Sequence, residues 1–151
     1  MLRSAGVTGS VGAYGPATLL AAAMVMRKRG ITHATPMLAA VSGAASAAWL
    51  LKRVIRRPRP PAHEQFNHPS FPSGHTTRAS AAALAIAYTL VRERMTPRSI
   101  AMPAAIGISL LTGVSRAYAD AHWTTDVIGG WALGTACAAS TALWYERIRT
   151  R

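Results

Sequence analysis

Residues 127–145 read VIGGWALGTACAASTALWY, nineteen in succession without a charged side chain. As a helix rising 1.5 Å per residue, such a segment is about 28 Å long, close to the ~30 Å hydrocarbon core of a bilayer. Charge returns at both edges, with Asp126 before it and Glu146-Arg147 after it. Four further uncharged stretches precede it: Ser4–Met26 (23 residues), Gly30–Leu51 (22), Ala79–Val91 (13) and Ser99–Ser115 (17). The five together hold 94 of the 151 residues. Surface helices of water-soluble domains carry charge at nearly every turn, and this chain does not. The pattern predicts an all-α, polytopic membrane helix bundle of about five transmembrane helices, over roughly 8–26, 32–52, 73–92, 98–114 and 123–146. The third uncharged stretch is too short alone, so its helix is expected to begin near Ser73 and to carry Thr76, Thr77 and Arg78 at its mouth.

Composition narrows the function classes. Seventeen Lys and Arg stand against five Asp and Glu, a formal charge of +12. A basic nucleic-acid module would gather that charge on one face or along one helix. Here it sits in short clusters between apolar runs, Arg27-Lys28-Arg29, Lys52 to Arg59, Arg92 to Arg98 and Arg147 to Arg151, as in polytopic membrane proteins. No nucleic-acid partner is expected. Mean hydropathy is only +0.19 because 31 residues are alanine. The hydrophobic half of the chain excludes disorder. A lone Cys137 excludes a disulfide framework or a multi-cysteine metal site. The expectation is one domain over 1–151, with no convincing secretory signal at its start. Small residues recur at helical spacing, Gly43 with Ala47, Ala79 with Ala83 and Ala87, and Gly130 with Gly134, where backbones in lipid can approach closely.

Three segments fall at one set of helix mouths and carry chemistry. Lys52 and Arg59 stand seven apart, followed by Pro60. Pro72-Ser73-Gly74-His75 directly precedes the third helix, and Ser115-Arg116 is followed by His122 and Asp126. These read as an anion site. Ser73 is a good N-cap and Gly74 lets a ligand approach the backbone, so the amides at the helix start favour a bound phosphate. Lys52, Arg59 and Arg116 supply cations, with arginine suited to gripping two oxygens at once. His122 and Asp126, four apart, share a helical face. A carboxylate on one ring nitrogen fixes the tautomer and makes the other nitrogen more basic, as a nucleophilic histidine requires. His75, on a separate segment, is placed to protonate a leaving alcohol.

The ordered set resembles the signature of the type 2 phosphatidic acid phosphatase / vanadium haloperoxidase superfamily, K-x6-R-P, P-S-G-H and S-R-x5-H-x3-D. All eleven specified positions are present, and the resemblance covers about residues 30–146. It implies a hydrolase: a phosphatase without a metal or other cofactor, acting on lipid phosphates through a phosphohistidine. By position, His122 is the implied nucleophile, Asp126 its orienting partner, and His75 the acid for the leaving group and then the base for water. Lys52, Arg59, Ser73, Gly74 and Arg116 form the implied phosphate cradle. Arg78 and Ser115 are candidate secondary contacts; Arg78, where a small residue is expected, would contact a second phosphate or a sugar, or snorkel to the interface.

Only 11 residues, Pro61–Phe71, separate the first two motif segments, too few for a cap domain. A substrate with its phosphate at headgroup level and its tail between helices suits that geometry. Polyprenyl phosphates or diphosphates such as undecaprenyl diphosphate, carriers of the cell envelope, are favoured; phosphatidic acid and phosphatidylglycerol phosphate are the alternatives. A vanadium-dependent haloperoxidase and a non-catalytic binder of anionic lipids are remoter readings. Members of the superfamily in membranes usually have six helices, so five leave a wall open or completed by a second copy, making a homo-oligomer a candidate assembly.

Arg53, Arg56 and Arg57 are read as solvated or as lipid-headgroup contacts. Trp49, Trp123, Trp131 and Trp144 are read as an aromatic belt. Basic residues number nine on the side of the C-terminus and eight on the other. Setting aside Lys52, Arg59 and Arg116 as functional leaves nine against five, which places the C-terminus in the cytoplasm and the site outside it, in a multi-pass plasma-membrane protein.

Overall fold

The computed structural model describes residues 11–63 and 68–150, and among these the regular structure is helical throughout. The helices are α1 (Val11–Arg29), α2 (Ile31–Ile55), α3 (Gly74–Arg92), α4 (Arg98–Tyr118) and α5 (Thr124–Arg149), with a 3-10 turn at Pro61–His63. Their ends lie within four residues of those expected, and the expected start of the first helix at residue 8 lies outside the described residues.

Local chemistry sets the breaks. Between α1 and α2 the single residue Gly30 adopts φ 89°, a conformation that a side chain would strain, and its amide still reaches the Met26 carbonyl at 2.8 Å. Two helices thus reverse direction across one residue. After α2 the chain runs through Pro58 and Pro60, which cannot continue a helix.

α2, α4 and α5 are each long and apolar enough to cross a membrane. α3 is less apolar, carrying Thr76, Thr77, Arg78 and Ser80 in its first two turns. It touches all four other helices, so little of its surface needs to match lipid. The bundle is inside out by the standard of soluble proteins. Its buried residues are mostly alanine, serine, threonine and glycine, while Leu111, Leu20 and Leu143 are 72 %, 66 % and 66 % exposed on the outer wall. That arrangement suits a hydrocarbon solvent, where close packing of small residues rather than burial of large ones holds helices together.

The Gly130–Gly134 pair is one such contact. A Cβ on Gly130 would lie 2.9 Å from Thr76 Cβ and 3.0 Å from the Ser73 carbonyl, and one on Gly134 would lie 2.7 Å from Ser80 Cβ. The glycines therefore let α5 press against the start of α3. Gly43 differs, for nothing lies within 4 Å of the place its Cβ would take, so its spacing with Ala47 is not a packing seam.

At the end away from the sequence motifs, a polar network joins α1, α3 and α5. Glu93, 3 % exposed, accepts hydrogen bonds from Arg29 Nε at 2.6 Å and from the Tyr145 hydroxyl, while Lys28 Nζ donates to its backbone carbonyl at 3.0 Å. Arg92 grips Glu146 with two hydrogen bonds of 2.7 and 2.5 Å. This end is fixed by charge and the other is left open for a ligand.

Candidate active site

At the open end, the end of α2 with the chain that follows it, the start of α3 and the turn before α5 surround a cavity of about 490 Å³. Lys52, Arg59, Gly74, His75, Arg78 and His122 line it, so six of the ten residues singled out in the sequence share one chamber. The field of Arg116, and of Arg78, Arg59 and Lys52, reaches His75. Four cations therefore act on one small volume.

Each side chain is held by identifiable contacts. Lys52, one turn before the end of α2, donates from Nζ to the carbonyls of Pro69 at 2.6 Å and Ser70 at 3.1 Å. Arg59 donates from Nε to the His68 carbonyl at 3.0 Å and from Nη1 to the Ala121 carbonyl at 2.8 Å. These two cations stitch the loop before α3 and the loop before α5 to the segment after α2. Burial holds the Arg59 guanidinium below its ordinary pKa, against the opposing field of Asp126.

Ser73 is the N-cap of α3 by position but makes no side-chain capping bond. Its hydroxyl instead accepts from Thr76 Oγ1 at 3.0 Å. The first amides of α3 are thus left without a side-chain acceptor, at the positive end of the helix dipole, where an anion is favoured. The Ser73 amide donates to the Asp126 carbonyl at 2.9 Å, which locks the second motif segment to the third.

His122 sits in the turn before α5 and is 5 % exposed. Burial, then the nearby Arg59 and Lys52 cations, push its pKa down to about 4 against the attraction of Asp126. The ring is neutral at pH 7, so a nitrogen lone pair is available for attack. Its Nδ1 lies 3.5 Å from Asp126 Oδ2 and makes no hydrogen bond, about 0.5 Å beyond a normal N–H···O distance. Nδ1 faces the carboxylate, which leaves Nε2 as the nitrogen for the cavity.

Asp126 is fully buried and well supplied with donors. The Trp123 amide donates to Oδ2 at 3.0 Å, a helix-start contact that also suits the dipole of α5. Arg57 Nη1 donates to Oδ1 at 3.0 Å and also to the Thr125 hydroxyl. Arg57 is thus a partner of the site and not a solvated or headgroup arginine. Nothing in the sequence marked it, for it is one arginine in a run of basic residues. Arg53 is exposed, as expected, and lies with its guanidinium 3.7 Å over the Trp49 ring at the cavity wall. Arg56 is exposed, as expected.

Ser115 and Trp131 make contacts other than those expected. Ser115 donates to the Thr112 carbonyl of its own helix at 2.8 Å, and neither Ser115 nor Arg116 is among the residues lining the cavity. Trp131 is not part of a belt, because its indole nitrogen donates to the Ser109 carbonyl at 2.9 Å between α5 and α4.

Known proteins resemble this chain over much of its length. The family model of the PAP2 superfamily matches residues 33–150. Phosphatidylglycerophosphatase B of Bacillus subtilis (strain 168) is 38 % identical over 93 residues, which is 56 % of this chain and 44 % of that protein. Lipid A 1-phosphatase of Rhizobium etli is 34 % identical over 112 residues, 65 % of this chain and 44 % of that protein. The chain thus spans less than half the length of these curated relatives. The crystal structure of a transmembrane PAP2-type phosphatidylglycerolphosphate phosphatase from Bacillus subtilis superposes with a TM-score of 0.84 at 29 % identity, covering 95 % of this chain and 75 % of that one.

Proposed function

We propose that this chain, which belongs to the PAP2 superfamily, is a membrane phosphatase that removes the terminal phosphate of a lipid phosphate through a phosphohistidine on His122. The observation that carries this reading is the single cavity in which a buried neutral histidine backed by Asp126, a second histidine and several cations meet.

The chemistry follows from those positions. The phosphate sits against the amides at the start of α3 and between Lys52 and Arg59, which neutralise its oxygens as charge builds in the transition state. His122 Nε2 forms a bond to phosphorus as the bond from phosphorus to the lipid oxygen breaks. With the anionic phosphate bound beside it, His75 in its protonated form gives its proton to that oxygen and the lipid alcohol leaves. His75, now neutral, takes a proton from water; the hydroxide attacks phosphorus, the N–P bond breaks, and inorganic phosphate departs with the site restored. Asp126 stabilises the charge on His122 in both steps. No residue here requires a resident metal for these steps.

The names of the relatives support a phosphatidylglycerol phosphate or another glycolipid or glycerolipid phosphate as the substrate class. The polyprenyl substrates favoured from sequence draw no support from those names. The basic-residue count, once the functional cations are set aside, favours a cavity on the outer side of the plasma membrane with the C-terminus in the cytoplasm.

The test is phosphate release from a panel of detergent-solubilised lipid phosphates by wild type and His122→Ala, with EDTA present. Release by the wild type alone is the expected result. Release by neither, from well-folded protein, would overturn the reading.

A further inference from the structure

Arg78 lies one helical turn beyond Gly74 on α3, and side chains on a helix lean back toward its start. Its guanidinium accordingly returns to the cradle: a Cβ on Gly74 would stand 3.6 Å from Arg78 Nη2. The side chain does not snorkel away from the site. It lines the phosphate cavity on one flank. On the other it lines a second hollow of about 370 Å³ between α1 and α2, whose remaining wall includes Tyr14, Leu19, Leu38 and Val41. Arg78 is therefore the polar residue standing where the phosphate chamber meets an apolar groove.

Its own charge is poorly answered. Arg78 Nε is buried and makes no hydrogen bond. Among the described residues no carboxylate pairs with it; Asp126 is held by Arg57 and the Trp123 amide. Tyr14 lies beside it, with the guanidinium 5.8 Å from the ring centre. A cation left this way inside a bundle is costly unless an anion comes to meet it.

A substrate laid across these two spaces puts its scissile phosphate at His122 and its hydrocarbon tail in the groove. The group between them meets Arg78. We infer that Arg78 binds a second phosphate group of the substrate, one placed between the scissile phosphate and the lipid tail, and so makes two-phosphate lipids the preferred class. The chemistry is shared by a lipid diphosphate, whose inner phosphate is joined directly to the scissile one, and by a glycerophosphate lipid, whose phosphodiester lies one glycerol away. A simple phosphatidic acid has only neutral esters to offer at that place. This inference rests on the phosphatase reading.

The experiment measures kcat/KM for four substrates in detergent: farnesyl phosphate, farnesyl diphosphate, dioleoyl phosphatidic acid and dioleoyl phosphatidylglycerol phosphate. Wild type, Arg78→Gln and Arg78→Lys are compared. In Arg78→Gln the ratio of two-phosphate to one-phosphate turnover is expected to fall by about tenfold or more, the scale of a lost charge-assisted hydrogen bond. Arg78→Lys, which keeps a point charge without the fork, is expected to retain part of the ratio. A ratio lost in the farnesyl pair assigns the second phosphate to a diphosphate, and one lost in the dioleoyl pair assigns it to a phosphodiester. Turnover of the one-phosphate lipids reports folding within the same series. An unchanged ratio in both pairs, or a loss equal across all four substrates, would overturn the inference. Absence of wild-type turnover on all four would instead overturn the phosphatase reading beneath it.

Discussion

Arg57 Nη1 stands 3.0 Å from Asp126 Oδ1, so the carboxylate behind His122 is anchored from a segment 69 residues away. His122 and Asp126 share one turn at the start of α5, and without an outside tie the carboxylate would have a choice of rotamers. Arg57 removes that choice, and the 5.4 Å approach of its guanidinium to the Trp123 ring adds a second contact to the same turn.

On the proposed mechanism Arg57 is a positioning residue for the His122 nucleophile. Arg57→Gln is expected to lower kcat by about 10- to 100-fold, the range for a lost hydrogen bond to a charged group. KM should change little, because Arg57 does not line the cavity. Arg57→Lys should recover part of kcat. Steady-state kinetics of the three proteins check this, and a change confined to KM would contradict it.

The depressed pKa of His122 fixes the sign of a pH effect. The ring must be neutral to attack, and burial with the Arg59 and Lys52 cations holds its pKa near 4. The free-enzyme contribution of His122 to kcat/KM is therefore full at pH 7 and is lost only as pH falls through about 4. Arg59→Gln removes one of the cations that disfavour protonation, so its acid limb should move to higher pH, alongside weaker phosphate binding. The pH profiles of kcat/KM for both proteins measure the displacement.

Stability rests on the opposite end of the bundle. Burial alone would raise the pKa of Glu93, but hydrogen bonds from Tyr145 and Arg29 outweigh it and hold the carboxyl below its ordinary value of 4.5. Glu93→Ala leaves the Tyr145 hydroxyl buried without its acceptor, while the half-exposed Arg29 returns to solvent, and is expected to cost about 1–3 kcal/mol, the range for an unsatisfied buried donor. A carboxyl with a lowered folded-state pKa stabilises above its unfolded value and ceases to do so as pH falls through the folded one. The difference in thermal midpoint between wild type and variant in detergent should thus be constant from pH 5 to 7, by about the same several degrees, and shrink below about pH 4.

Much of this was legible in the chain because lipid imposes a coarse rule. Uncharged runs mark helices, and the runs from Gly30, Ser99 and Val127 became α2, α4 and α5 with ends displaced by a few residues. The motif residues were legible because catalysis demands residue types at fixed spacing. Arg57 was not, since one arginine in a run of basic residues carries no mark of its partner until the segment after α2 brings it to Asp126. The same holds for Ser73, an N-cap by type, whose hydroxyl turned instead to Thr76. Trp131 lies midway along an apolar run, and only the approach of α4 shows that its indole nitrogen has a partner there. Arg78 was legible as an anomaly, and the meaning of the anomaly came with the groove beside it.

The central claim is that His122 carries the phosphoryl group. The direct measurement is rapid acid-free quenching of wild type during turnover of a labelled lipid phosphate, followed by mapping of the modified residue by mass spectrometry, with His122→Ala and His75→Ala in parallel. The account predicts a phosphorylated His122 in the wild type and none in His122→Ala. In His75→Ala, any phosphoenzyme formed should be hydrolysed slowly. Turnover by His122→Ala at the wild-type rate, or a phosphoryl group on another residue of the wild type, would contradict it.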